Sequence, residues 1–509
     1  MLESVDFTPH KRQSTPRVRF LFILLSFSYM LPWTAMGSLI HYFAVEYNKN
    51  YFTILNIAFY GVGLPITYLQ KRADNYYDAL YGSKWTFKSR IHACFIIQIC
   101  CLIIAPFAGY YGLVLVSMII GCATWVAHSC TTSLSGMVKF NSSIMQQIGF
   151  ALPAVFGIIT SLVFNLSADD VPDINIILFF WSIALFVVPG IITWHFMHKS
   201  HIVREKLLAK DFNLGHLLIE SALQKSNHDL ASLTEEPVES PLYNDYTDDD
   251  EGRGTEVMIR DSSEVSPRES NRVRSSDIFV PNGKIDEKSF LLDSPHTSQR
   301  MMMDSRQFLL DDKSLIQDVM RSNKCNEVLK PYRWTLFITI FASILQGSFI
   351  SYTFGCVLFG KTELPSILYF VRIFSDLFGR PLGLLKRPSM VSDVHGLLRF
   401  SIARMLVSIY FYTIIVNLFY PADFVHSDYC HLILIGFQVF FSASSGYLNS
   451  LTYEYASAAF DNEWSRVIAA QQLNLTFQKA CTCAVFVALC VLIFVDVIKP
   501  ALGIDFNTV

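Results

Sequence analysis

Eleven stretches of roughly 20 mostly apolar residues divide this chain, and they constrain its fold more than any other feature. A helix of that length crosses the ~30 Å hydrocarbon layer of a bilayer with every backbone group bonded internally. Six stretches precede residue 200, at 18–42, 52–70, 90–109, 111–136, 144–166 and 174–197. Five follow residue 330, at 333–358, 364–385, 396–419, 431–456 and 466–495. Composition agrees, because 52% of the 509 residues are hydrophobic and only 16% charged, where a soluble domain carries about 25% charged residues. Ten-residue alternating strands, the mark of an outer-membrane barrel, do not occur. The expected fold is an all-α polytopic membrane protein with eleven transmembrane helices in a 6+5 arrangement.

Lys and Arg set the orientation. With the N-terminus inside, the inner segments collect Lys11, Arg12, Arg17, Lys71, Arg72, Lys84, Lys88, Lys139, Lys386 and Arg387, together with the basic residues between the two helix groups. The outer segments hold Lys49, Lys361 and Lys499, which is the positive-inside pattern. The first apolar run is too long for a signal peptide and is expected to stay as an anchor. The chain then divides into a cytosolic tail (1–17), a six-helix bundle (18–198), a cytosolic loop (199–330) and a five-helix bundle (331–509). The loop holds 18 basic and 25 acidic residues, net −7, which leaves the rest of the chain at +4. It is Ser-rich and aromatic-poor, so it is expected to be mostly disordered, with helical edges over 201–224 and 305–323. Asp248, Asp249, Asp250 and Glu251 read as a solvated tether, and Glu287, Leu291 and Leu292 fit an acidic dileucine pattern for sorting adaptors. The weak, scattered basic excess is no nucleic-acid footprint. Nearly all eleven cysteines fall inside apolar runs, where thiols act as small hydrophobes; neither a disulfide framework nor a metal site is expected.

An ionisable side chain inside a bilayer costs several kcal/mol unless it is paired or meets water, so each one is a candidate for function. The eighth stretch is the richest. Arg372, Asp376 and Arg380 succeed one another at four-residue intervals and share one helix face, with the carboxylate between two guanidinium groups. One ion pair satisfies two of the three; the third charge then calls for a partner across the bundle or for a ligand. His128, Arg404, Glu454 and Lys479 are the other candidates, each with a plain alternative as a helix-to-helix hydrogen bond or a snorkelling side chain. Small residues such as Gly61, Gly63 and Ser442 to Gly446 permit close helix approach, and Pro32, Pro65, Pro153 and Pro381 permit bends.

The string Phe374-Ser375-Asp376-Leu377-Phe378-Gly379-Arg380 resembles the signature of the equilibrative nucleoside transporter family, in which an aromatic-rich helix carries an Asp followed by Gly-Arg. Leu31-Pro32-Trp33 is similar to the family's Leu-Pro-Trp, Arg404 stands where the family has an Arg in its ninth helix, and Ser445-Gly446-Tyr447-Leu448-Asn449-Ser450-Leu451 resembles its Asn-Gly-Tyr-Leu-x-Ser-Leu. The resemblance covers both helix groups but not the loop. It implies a major-facilitator-like fold lacking the last helix, with two bundles rocking about a central site. It also implies facilitative transport of nucleosides, with nucleobases as a further class. In that reading Asp376 accepts from ribose hydroxyls, Arg380 holds the carboxylate or a ring acceptor, Trp33 offers a face to the base and His128 reads the base edge. Arg372, Arg404, Gly446 and Glu454 are then structural or gating residues. The chain departs from the family at Thr34, Ser445 and Ile373, where an amide is replaced each time.

A proton-coupled version of the same carrier is the alternative, motivated by His128, Asp376 and Glu454; a carrier of another small polar solute comes after it. An enzyme is not expected, since neither a Gly-x-Ser-x-Gly nor a His-Glu-x-x-His string occurs, and the absence of a Walker string disfavours a pump. No cofactor is implied. The expected site of residence is the plasma membrane, with an endolysosomal membrane as the second choice. Of the sequons, Asn165 should face outward, Asn141 the cytosol and Asn474 the membrane.

Overall fold

In the first apolar stretch the chain forms helix α1, Pro16–Gly37, and breaks at Ser38 and Leu39 before a short α2, Ile40–Glu46. This computed structural model describes residues 16–47, 51–138, 142–166, 171–211, 323–346, 364–385, 393–413, 428–460 and 463–493. The first group continues with α3 (Tyr51–Gly61), α4 (Gly63–Tyr81), α5 (Ser83–Ile104), α6 (Gly109–Met137), α7 (Ser142–Val163) and α8 (Asp173–Lys199). The second comprises α9 (Asn323–Leu345), α10 (Leu364–Gly379), α11 (Val394–Thr413), α12 (Asp428–Ala458) and α13 (Glu463–Ile493). Every regular element among the described residues is helical. Nine helical stretches among them are long and apolar enough to cross a membrane. The eighth and ninth expected spans contribute α10, of 16 residues, and α11, of 20.

Large apolar side chains stand exposed along these helices, among them Ile103 and Ile104 on α5, Leu185 and Phe186 on α8, and Leu432 and Phe440 on α12. In water such a surface would be strongly unfavourable; against lipid tails it is not. The chain is thus a polytopic membrane protein.

One expectation needs adjustment at an element end. The second stretch was bounded at residue 70, yet α4 runs on to Tyr81 and meets α5 through Gly82 alone, whose φ of 81° suits a residue without a Cβ. The polar residues between the second and third apolar stretches are therefore helical and partly buried. At the loop boundary, residues 201–211 are helical, as their sequence predicts, and Lys210 and Asp211 pack onto α4 and α5. The remaining readings on 212–322, including Asp248 to Glu251 and the set Glu287, Leu291 and Leu292, lie outside the described residues, as does Asn141.

Small residues decide which helices meet most closely. On α7, a Cβ at Gly149 would strike the Ile23 backbone, and one at Gly157 would press on Thr34 and Ala35, so α7 lies directly against α1. On α10, Gly379 faces the Ala443 carbonyl of α12, and Gly446 of α12 faces the Asp376 carbonyl in return. Helix α13 packs against α9 and also against α3, α4 and α6 of the first group, which joins the two halves.

Candidate functional site

Between the two helix groups lies a cavity of ≈ 160 Å³. Its lining comes from both. Trp33, Asn56, Tyr60 and Phe150 belong to α1, α3 and α7, and Tyr369, Arg372, Asp376 and Arg380 to α10 and the residue following it. Ser343, Gln346, Ser442, Ser445, Asn449 and Phe477 complete most of the polar and aromatic wall.

Asp376 and Arg380 form the ion pair that their spacing predicts. Nε and Nη2 of Arg380 approach Asp376 Oδ2 at 2.8 and 2.7 Å, while Oδ1 accepts no bond among the described residues. Arg380 is almost fully buried and also turns across to α7, where Nη1 donates to the Gln147 carbonyl at 2.7 Å and to Gln147 Oε1 at 2.8 Å. Asn449 Nδ2 donates to the same Oε1 at 3.1 Å. This layer forms the floor of the cavity and ties the first group to the second. Beyond it, Ser457 Oγ on α12 reaches the Gly136 carbonyl on α6 at 3.5 Å, so the halves also touch near the C-terminal ends of α6 and α12.

The other expected residues fall in three places. Trp33 lines the cavity, but one face of its ring is stacked on Phe59 at 3.9 Å with 7° between planes, and Phe52 lies nearly parallel at 6.0 Å. What it presents is a braced aromatic wall and not a ring free on both faces. His128 is fully buried behind that wall, with Nδ1 bonded to the Tyr29 hydroxyl at 2.9 Å and its ring against Phe150 and Phe477. It supports two cavity-lining rings and is not itself part of the lining. Arg404 sits under the opposite wall: its nitrogens donate to Phe441 O, Thr339 O and Ser343 Oγ at 3.1, 3.3 and 2.8 Å, and its guanidinium lies 3.6 Å from the Phe441 ring centre. Ser343 in turn meets Ser445 Oγ at 2.5 Å, so Arg404 holds two hydroxyls of the wall from behind. Glu454 is half-buried near the C-terminal end of α12 and is absent from the lining, and Lys479 is exposed.

Gln147 is the residue that sequence reasoning passed over. The polar pair Gln146-Gln147 near the start of an otherwise apolar stretch was the available signal. Asn449 lay within a motif already singled out, without a role assigned to it.

Neither a protein-family model nor a curated protein matches this chain. Among solved structures, it is similar to the major facilitator superfamily proton:xylose symporter XylE bound to 6-bromo-6-deoxy-D-glucose, at 9% identity and a TM-score of 0.47 over 94% of this chain and 95% of that one. The human organic anion transporter MFSD10 (TETRAN) is similar at 12% identity and a TM-score of 0.35, over 93% and 99%. Tetrameric PepTSo2 follows at 9% and 0.29, over 95% and 99%. Identities this low say nothing of substrate or site.

Proposed function

We propose that this chain is an alternating-access carrier of nucleosides, with nucleobases as a further substrate class. The observation that carries the reading is the cavity between the two helix groups, walled by aromatic rings and floored by a carboxylate held in place by Arg380. A nucleoside has this division, an aromatic base joined to a ring of hydroxyls, and Asp376 Oδ1 is placed to accept from such hydroxyls. The resemblance of the Asp376 to Arg380 string to the nucleoside transporter signature supports the same choice. Polar ties that join the two helix groups at the floor fit a carrier whose halves part there when it changes state.

Uptake of labelled adenosine, uridine and hypoxanthine into cells expressing the full chain tests this, at acidic and neutral pH, beside an Asp376→Asn variant. Saturable uptake that the variant loses supports the reading. A 2′- or 3′-deoxy nucleoside should be handled less well by about 1–3 kcal/mol if Asp376 holds the ribose. Absence of uptake of all three, with the protein shown at the cell surface, would sink the substrate assignment. A gradient-dependent rise at acidic pH would instead favour proton coupling.

A further inference from the structure

The carboxylate of Asp376 is already neutralised by Arg380, and the cavity holds a second cation. Arg372 lines the same wall, one helical turn before Asp376, yet it makes no hydrogen bond or ion pair among the described residues. Tyr60 and Tyr369 line the same cavity. No acidic side chain other than Asp376 lines the cavity among the described residues, so its lining carries a net charge of one positive unit.

A guanidinium at membrane depth is tolerated where it meets water or an opposite charge, and Arg372 is half-exposed to the cavity, where an anionic group could replace that water. Packing does not need Arg372, because Arg380 alone completes the tie to Gln147 and α7. The guanidinium fork matches a carboxylate or a phosphate, with two parallel hydrogen bonds, better than it matches a neutral acceptor.

We infer that this cavity takes a substrate bearing a negative charge, whose carboxylate or phosphate sits on Arg372. The inference rests on the nucleoside reading for the remainder of the ligand, so the substrate class becomes an acidic nucleobase or a nucleoside phosphate. Arg372 sets that specificity, while Asp376 and the aromatic wall take the neutral part.

The test is equilibrium binding to the purified full chain in a chloride-free buffer, with uridine against uridine 5′-monophosphate, uracil against orotate, and ribose 5-phosphate as an anion without a base. Wild type is compared with Arg372→Gln and Arg372→Lys. One or both charged ligands should bind wild type about tenfold or more tightly than their neutral counterparts. That advantage, read as the ratio of charged to neutral affinity within each variant, should vanish in Arg372→Gln and return in part in Arg372→Lys. Which pair shows it separates phosphate from carboxylate. If ribose 5-phosphate binds through Arg372 as well as the nucleotide does, the anion site stands and the nucleoside reading falls. If uridine binds but charge brings no advantage in wild type, the anion site is overturned and the nucleoside reading survives. Binding by none of the five overturns both. Should Arg372→Gln fail to fold, wild type decides whether charge brings an advantage and Arg372→Lys decides whether Arg372 is its source, an advantage undiminished in Arg372→Lys overturning the assignment.

Discussion

At Gly379 and Gly446 two helix backbones meet with no side chain between them. A Cβ at Gly446 would collide with the Asp376 carbonyl and crowd the stem of Arg380, and one at Gly379 would collide with the Ala443 carbonyl. The contact thus sets the position of the ion pair itself. Gly446→Ala should lower stability by about 1–3 kcal/mol, because the helices must separate to admit one methyl group. Gly61→Ala is the control, since a Cβ there meets nothing within 4 Å, and it should stay within about 1 kcal/mol of wild type. Thermal unfolding of the purified chain compares them, and an equal fall in both would remove the close approach as the cause. Gly446 was legible as a motif residue, but the atom it faces was not. The same limit applies at His128. Sequence gives the residue type and the helix, whereas the rotation of α6 that turns His128 toward Tyr29 and away from the cavity arises from its packing among α1, α3, α5 and α13. Charge spacing along one helix fared better, since four-residue intervals fix a shared face wherever the helix lies.

At the scale of elements, α4, α5 and residues 201–211 are joined by a buried set of charges. Asp74 pairs with Arg90, and Asp78 accepts from both Lys210 and the Thr86 hydroxyl. The Ser83 N–H donates to Asp211 Oδ1 at 2.8 Å. Side-chain exposure is 0% for Asp78 and 2% for Lys210, so solvent screens this pair little. Removing one partner leaves an uncompensated buried charge, which typically costs about 3–5 kcal/mol, whereas removing both can be close to neutral. Lys210→Met should therefore destabilise the chain strongly, and adding Asp78→Asn should restore more than half of the loss. Thermal unfolding of the three proteins measures it, and a double variant less stable than the single would show that the ions are not acting as a pair. Apolar run length hid this set. A run marks where lipid begins, and α4 and α5 continue past that point into a region where charged groups bury one another. The helical periodicity of 201–211 was readable; its docking, which needs Asp78 and Asp211 brought to their partners, was not.

For the whole molecule, the all-helical membrane architecture follows from run length, because the bilayer enforces it. How the halves close on each other depends on single polar contacts that no periodicity announces. The floor is made by Gln147, which binds Arg380 and Asn449 together, and the C-terminal ends of α6 and α12 are joined by contacts such as Ser457 with Gly136. If the chain is the alternating-access carrier proposed above, these ties hold one state and must part before the cavity opens on their side. Each hydrogen bond to a charged group contributes about 1.5–3 kcal/mol and the amide bond about 1 kcal/mol. Gln147→Leu keeps the approximate volume and removes the side-chain bonds, so it should shift the balance toward the state open on that side by at least about tenfold. The shift is readable at Ser457, which is half-buried beside the Gly136 carbonyl. In a cysteine-depleted background, Ser457→Cys should react with a membrane-impermeant maleimide applied to inside-out vesicles about tenfold faster when Gln147→Leu is present. An unchanged rate, with the protein folded and inserted, would mean that the Arg380, Gln147 and Asn449 layer does not hold that side closed. The seal would then have to come from the apolar contacts below it, where Ile144 and Leu451 flank Gly383.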